Sequence, residues 1–179
     1  DNLESASTVD LDRLTLSSLQ GLGSLSNEDA SITLQHANID SLDGLDNLTK
    51  ASFLNLDHSN LSSLTGLDTL QEISTLRLRD MNNFVNFEGA TALTKITNQI
   101  DLEDAPSFVN FEGASSIQTI ETINLENADS FKSFKGLSSV KSIDYINLKD
   151  ANNFESFGNM SNLTNLRQID FADSGNHGY

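Results

Sequence analysis

Four carboxylates, Asp101, Glu103, Asp104 and Glu126, form an acidic patch near the middle of the chain. Stacked carboxylates repel one another, and a hard cation such as Ca²⁺ relieves that repulsion through oxygen ligands. No DxDxDG loop accompanies them, so the sequence implies no cofactor and leaves Ca²⁺ as a minor alternative. His36 and His58 are placed to stack one repeat apart, but two histidines without a third convergent ligand make a poor zinc site. Arg77 and Arg79 are the main basic spot. They suit either a clamp for a ligand carboxylate or pairing with Asp57, Asp101 or Glu103 on neighbouring repeats. The chain has no cysteine, which removes disulfides, thiolate metal sites and cysteine nucleophiles together. It also carries no nucleophile elbow, Walker loop or HExxH pair. Carboxylates on an open surface stay hydrated, and nothing predicts the raised pKa that a general acid needs. The sequence points away from an enzyme.

Charge narrows the partners. There are 26 Asp and Glu against 10 Lys and Arg, a formal net charge of −16. Such a surface repels phosphate backbones and anionic membranes, so nucleic acid is not an expected partner. No run of about 18 apolar residues exists to span a bilayer. The chain opens on Asp1 without a signal peptide, and it reads as a fragment of a longer exported protein. A disulfide-free exported protein fits a bacterial source.

What positions these residues is a repeat. The last apolar residue of each φxL triplet serves as a marker: Leu11, Leu34, Leu56, Leu78, Leu102, Leu125, Leu148 and Phe171. Their spacings are 23, 22, 22, 24, 23, 23 and 23 residues. Two subtypes share this register. After Leu11, Leu34 and Leu56, apolar residues follow at +5, +8 and +11, as in Leu61, Leu64 and Leu67. After Leu78, Leu102, Leu125 and Leu148 they follow at +6, +9 and +12, and Phe replaces Leu in FxxF pairs such as Phe131 and Phe134. One domain over residues 1–179 is expected. It has a lead-in at 1–8, Leu-type repeats at 9–69, Phe-type repeats at 70–171 and a truncated tail at 172–179.

In φxL the two apolar side chains share one face of a strand, and the residue between them faces solvent. Beyond the strand the apolar period is three, which suits 3₁₀ or extended segments better than an α-helix. A single unit cannot bury this stripe, whereas stacked neighbours can. The expected fold is a solenoid of about eight coils, with a parallel β-sheet on one face and 3₁₀ or extended segments on the other. The FxxF pairs are expected as an aromatic ladder inside it. Gly21, Gly44, Gly66, Gly89, Gly113 and Gly136 fall near the return of the coil, where a positive φ or close packing favours glycine.

The pattern resembles the leucine-rich-repeat family, in particular the short repeats of bacterial surface proteins such as internalins. The segment LTKASFLNLDHSNLSSLTGLDT at Leu48–Thr69 carries the resemblance most directly. The FxxF form also resembles L-domain-like, β-helical repeats. The family usually has Asn three residues after the marker, bonding backbone between coils. Here that place holds Leu14, Ala37, Ser59, Met81, Ala105, Ala128 and Ala151, with Asn38 and Asn60 one place later. The turn must satisfy its backbone by another route.

The resemblance implies that the exposed sheet face binds. The φxL phase places Asn55, Arg77, Asp101, Asn124 and Asn147 on it. Asp57, Arg79, Glu103, Glu126 and Lys149, just after the markers, are expected to return outward. Phe53 and Tyr145, where polar residues dominate, are candidate contacts, since exposed aromatics favour interfaces. Eight rungs roughly 4.8 Å apart give a face about 34 Å long, better suited to a protein segment or glycan than to a deep small-molecule pocket. The resemblance implies a non-enzymatic adhesion or recognition domain, extracellular on a bacterial surface, binding host protein or glycan. A rigid spacer presenting other domains of a larger adhesin is the alternative. Ice or mineral binding is a minor one, because Phe53, Gln99 and Tyr145 interrupt the Thr8, Ser31, Thr75 and Thr122 column.

Overall fold

The computed structural model describes residues 6–16, 18–25, 29–158 and 160–172. The expected tail motif Gly175–Tyr179 and the start of the lead-in lie outside these residues. Eight strands follow in chain order: β1 (Thr8–Asp10), β2 (Ser31–Thr33), β3 (Lys50–Asn55), β4 (Glu72–Arg77), β5 (Lys95–Asp101), β6 (Thr119–Asn124), β7 (Ser142–Asn147) and β8 (Asn165–Asp170). Each pairs in parallel with the next, so sheet order equals chain order. The fold is an all-parallel β-solenoid. Its one helical element among the described residues is the short 3₁₀ turn Gln20–Leu22.

Register follows the repeat. Val9, Ile32, Leu54, Leu76, Ile100, Ile123, Ile146 and Ile169 form one inward column across the sheet. The 24-residue spacing places its extra residue inside β5, where pairing slips between Ile96 and Gln99. That is a bulge: the strand bends and the ladder resumes in phase.

The strands sit earlier in the repeat than the φxL triplet alone implies. They end at the residue before the marker, and the longer ones begin several residues upstream. In β4 both Ile73 and Leu76 are buried, while Ser74 and Thr75 between them are partly exposed. Two neighbouring outward residues mean that the strand turns a corner rather than alternating strictly. After the marker the chain enters a turn. Its second residue is left-handed in the seven coils where it is described: Arg13, His36, His58, Asp80, Asp104, Asn127 and Asp150 have φ between 55° and 59°. Asn and Asp tolerate that region better than other non-glycine residues.

Inside, the three-residue period holds: Leu125, Ala128, Phe131, Phe134, Leu137, Val140, Ile143 and Ile146 are all buried. The phenylalanines form two stacked files. Phe84, Phe108, Phe131 and Phe154 lie face to face at centroid distances of 5.8, 5.7 and 5.8 Å. Phe111, Phe134 and Phe157 repeat this at 5.8 and 5.8 Å, edge-on to the first file. Offset and edge-on rings add to the burial energy. The last described coil leaves Phe157 at 39 % and Phe171 at 44 % exposure.

The glycines mark the tightest approach between coils. At Gly113 φ is +98°, and a Cβ there would sit 2.2 Å from the Phe87 carbonyl oxygen of the preceding coil. Gly44, Gly66, Gly89 and Gly136 repeat the arrangement. Gly21 does not: it lies in the 3₁₀ turn of the first coil and a Cβ would meet nothing within 4 Å.

Candidate functional site

The corner of the solenoid where each strand ends gathers most of the residues singled out by sequence. The left-handed residue pulls the chain sharply inward, which leaves the N–H two residues after the strand end in need of an acceptor. The strand-end side chain supplies it. Asn55 accepts from the Asp57 N–H at 2.9 Å, Asn124 from Glu126 at 3.3 Å and Asn147 from Lys149 at 3.0 Å. Asp101 does the same for Glu103 at 3.3 Å. These Asx turns satisfy the backbone of each turn through the strand-end side chain. Amides also link coils: Asn147 Nδ2 donates to Asn124 Oδ1 at 2.8 Å, and Asn124 Nδ2 to Asp101 Oδ1 at 2.9 Å.

The one strand end of this set without an acceptor side chain is Arg77. The Arg79 N–H therefore reaches back to Asp57 Oδ1 in the preceding coil, at 2.9 Å, and Arg77 Nη2 meets Asp57 Oδ2 at 2.7 Å. Asp57 is 2 % exposed. The sequence expectation placed it outward; the structure corrects this, because the turn folds its carboxylate under the two arginines. Burial pushes the Asp57 carboxyl above its usual range, against the opposing Arg79 N–H and the Arg77 charge. Asn55 and Asp101, also expected on the open face, are buried as well, at 6 % and 8 % exposure. Their oxygens are committed to the turn.

The remaining corner residues pair across coils. Arg79 Nη2 lies 2.6 Å from Glu103, and its Nε lies 3.9 Å from Asp101. Burial works against the Arg79 charge, but Glu103 and Asp101 outweigh it and raise its pKa. Lys149 Nζ meets Glu126 at 3.1 Å and, as the leading cause, holds that carboxyl below its usual range. Asp104 accepts from Asn127 Nδ2 at 2.9 Å. Each member of the acidic patch thus has its own N–H donor, and no group of three metal-ligating side chains converges among the described residues. His36 and His58 do stack, at 4.4 Å and 8°, with Asp80 at 3.4 Å from His58.

Phe53 and Tyr145 stand apart from this corner. They occupy the middle of β3 and β7 in one register column, both partly exposed, with Thr75 and Thr122 among their neighbours. Burial, then the Asp170 and Glu126 charges, raise the Tyr145 pKa. Beside this column runs a second outward one that sequence reasoning missed: Ser52, Ser74, Glu121, Asp144 and Arg167. Its signal was present in the IxxφxL opening, where two residues separate the inward pair and both must face out. Over β6–β8, Glu121, Thr122, Asp144, Tyr145, Arg167 and Gln168 line a shallow cleft of about 360 Å³.

The site residues therefore divide into a corner that builds the turn and a mid-strand face carrying two aromatics beside a polar column. The sequence matches no protein-family model and no curated protein.

Proposed function

We propose that the chain is a leucine-rich-repeat-type solenoid acting as a non-enzymatic adhesion or recognition domain of a bacterial surface protein, extracellular, with a host protein or glycan as partner. The observation that carries this reading is the outer face of the eight-stranded sheet, continuous in register, with Phe53 and Tyr145 partly exposed in one column. The two rings lie four strands apart, about 19 Å at the usual strand spacing. Aromatic anchors on a rigid face lose little conformational entropy on binding. The corner residues support the face by locking each strand end, and the partner meets the mid-strand columns.

Labelled domain applied to cultured epithelial cells tests this reading. Saturable binding is expected, reduced by the pair Phe53→Ser and Tyr145→Thr, residue types that this column already carries. Binding that ignores this pair, yet fails on substitution of Asp68 and Thr91 outside the sheet, would exclude the sheet face.

The spacer reading draws support from the core itself. One hydrophobic cluster runs through every coil, which makes the solenoid stiff along its length. A domain that binds no cell and no purified host component, whatever the substitution, would favour it.

A further inference from the structure

Several charges on this surface pair with opposite charges on the next coil. Lys95 meets Glu72 at 3.0 Å, Lys135 meets Glu112 at 2.6 Å and Lys149 meets Glu126 at 3.1 Å. The cleft over β6–β8 sets two carboxylates side by side. Ile120 pairs with Ile143 and Thr122 with Tyr145, so Glu121 faces Asp144 directly, one rung away. Two carboxylates at strand spacing repel. The Glu121 side chain has no hydrogen-bond or ion-pair partner among the described residues. Asp144 has only Arg167, at 3.8 Å, and that arginine side chain is 79 % exposed. Tyr145 adjoins them and lines the same cleft, partly buried.

We propose that this cleft receives a lysine or arginine side chain of a basic peptide segment, held between the Glu121 and Asp144 carboxylates and against the Tyr145 ring. The proposal rests on the sheet face being the binding surface and names the partner chemistry there. A side-chain cation relieves the carboxylate repulsion, donates to both groups and gains from the ring face. A neutral sugar would leave the repulsion in place, and an anionic one would add to it. The net charge of −16 steers basic partners toward the domain before contact. The cleft's volume fits one side chain rather than a folded element.

Amide NMR of the intact domain tests this with acetyl-Ala-Arg-Ala-amide as probe and its citrulline counterpart as the neutral isostere. The arginine peptide is expected to move the amides of Glu121, Thr122, Asp144, Tyr145 and Gln168, with the citrulline peptide binding at least about fivefold more weakly. The pair Glu121→Gln and Asp144→Asn should abolish the shifts. Asp43→Asn with Asp46→Asn, an equal charge change outside the sheet, should preserve them. Equal binding of both peptides, or equal weakening by both variant pairs, would overturn the proposal in favour of diffuse attraction. Shifts at the same amides from methyl glucoside but not from the arginine peptide would overturn it in favour of a sugar subsite. If the peptide fails while cell binding still depends on Phe53, the ligand class falls and the adhesion reading stands. If the peptide binds here and cell binding ignores the sheet face, the adhesion reading falls alone.

Discussion

The Leu-type coils before residue 70 and the Phe-type coils after it build the same sheet around different interiors. In the Leu block the stretch after the marker is one residue shorter, and Leu61 follows Ser59 where Phe84 follows Met81 after a longer step. The Leu block links coils there through a side chain: Asn60 Oδ1 accepts the Ile39 N–H at 2.7 Å. Its first two coils also join there by backbone, Asn38 N–H to Leu14 at 3.1 Å and Leu16 N–H to Asn38 at 3.3 Å, and in the Phe block such backbone links follow one another from coil to coil. Val85 donates to Ser62, Val109 to Val85, Lys132 to Val109 and Glu155 to Lys132, at 2.9, 3.0, 3.0 and 2.8 Å. The extra residue therefore creates room for rings, while backbone links at this place occur in both blocks. Across the junction the sheet register does not change, so core width and strand pairing are set independently.

Several substitutions separate the two blocks. The largest effect is expected from Phe108→Ala, about 3–5 kcal/mol, because that ring is fully buried, stacked within one file and edge-on to the other. Leu42→Ala should cost less, nearer the lower end of about 2–5 kcal/mol. Urea unfolding of the pair tests whether the aromatic block is the stronger one, and equal midpoints would break the contrast.

Gly113→Ala comes next, at about 2–4 kcal/mol from a left-handed backbone and collision with Phe87. Gly21→Ala, with open space around it, should leave stability within about 0.5 kcal/mol of the parent. Matching losses at both positions would mean that coil contact is not the cause.

Asn124→Ala removes the Glu126 acceptor and both amide links, at about 1–2 kcal/mol. Asn60→Ala orphans the Ile39 N–H alone and should cost about 1 kcal/mol. Thermal unfolding of both compares a side-chain link in each block.

The smallest effect belongs to the junction. Asp57→Asn keeps an acceptor for the Arg79 N–H and removes a buried charge, so the change near neutral pH should stay under about 1 kcal/mol. Its pH dependence is more telling. The folded Asp57 pKa lies above the unfolded one, so folding takes up a proton between the two. The parent should gain stability relative to Asp57→Asn as pH falls through the raised value, with the gain complete below the ordinary carboxylate range. Glu126 and Glu112, both depressed, lose their contribution on acidification, but they are common to both proteins and cancel in the difference. A melting-temperature difference independent of pH would refute the buried-charge account.

The solenoid was legible because burial imposes a period. The eight markers set the strand columns, and the FxxF pairs set the interior. What the periodicity leaves open is local. The φxL triplet identifies an inward pair but not where the ladder stops, so Asp57 and Asp101 read as surface residues although the turn draws them under. The 24-residue spacing announces an extra residue without locating it in β5. Asn124 and Asn147 read as candidate contacts because an Asx turn depends on the left-handed residue three positions later, which is not glycine in any described coil. Glu121 and Asp144 escaped notice because strict alternation hides a strand corner.

The parallel ladder also sets a mechanical direction. Its hydrogen bonds run along the solenoid axis, since every coil bonds to the next. Tension applied along that axis opens one coil boundary at a time, as a zipper opens. Tension along a strand loads all the bonds of a boundary at once, in shear. The same domain is therefore compliant in one direction and stiff in the other, and the points at which force enters it decide which behaviour it presents.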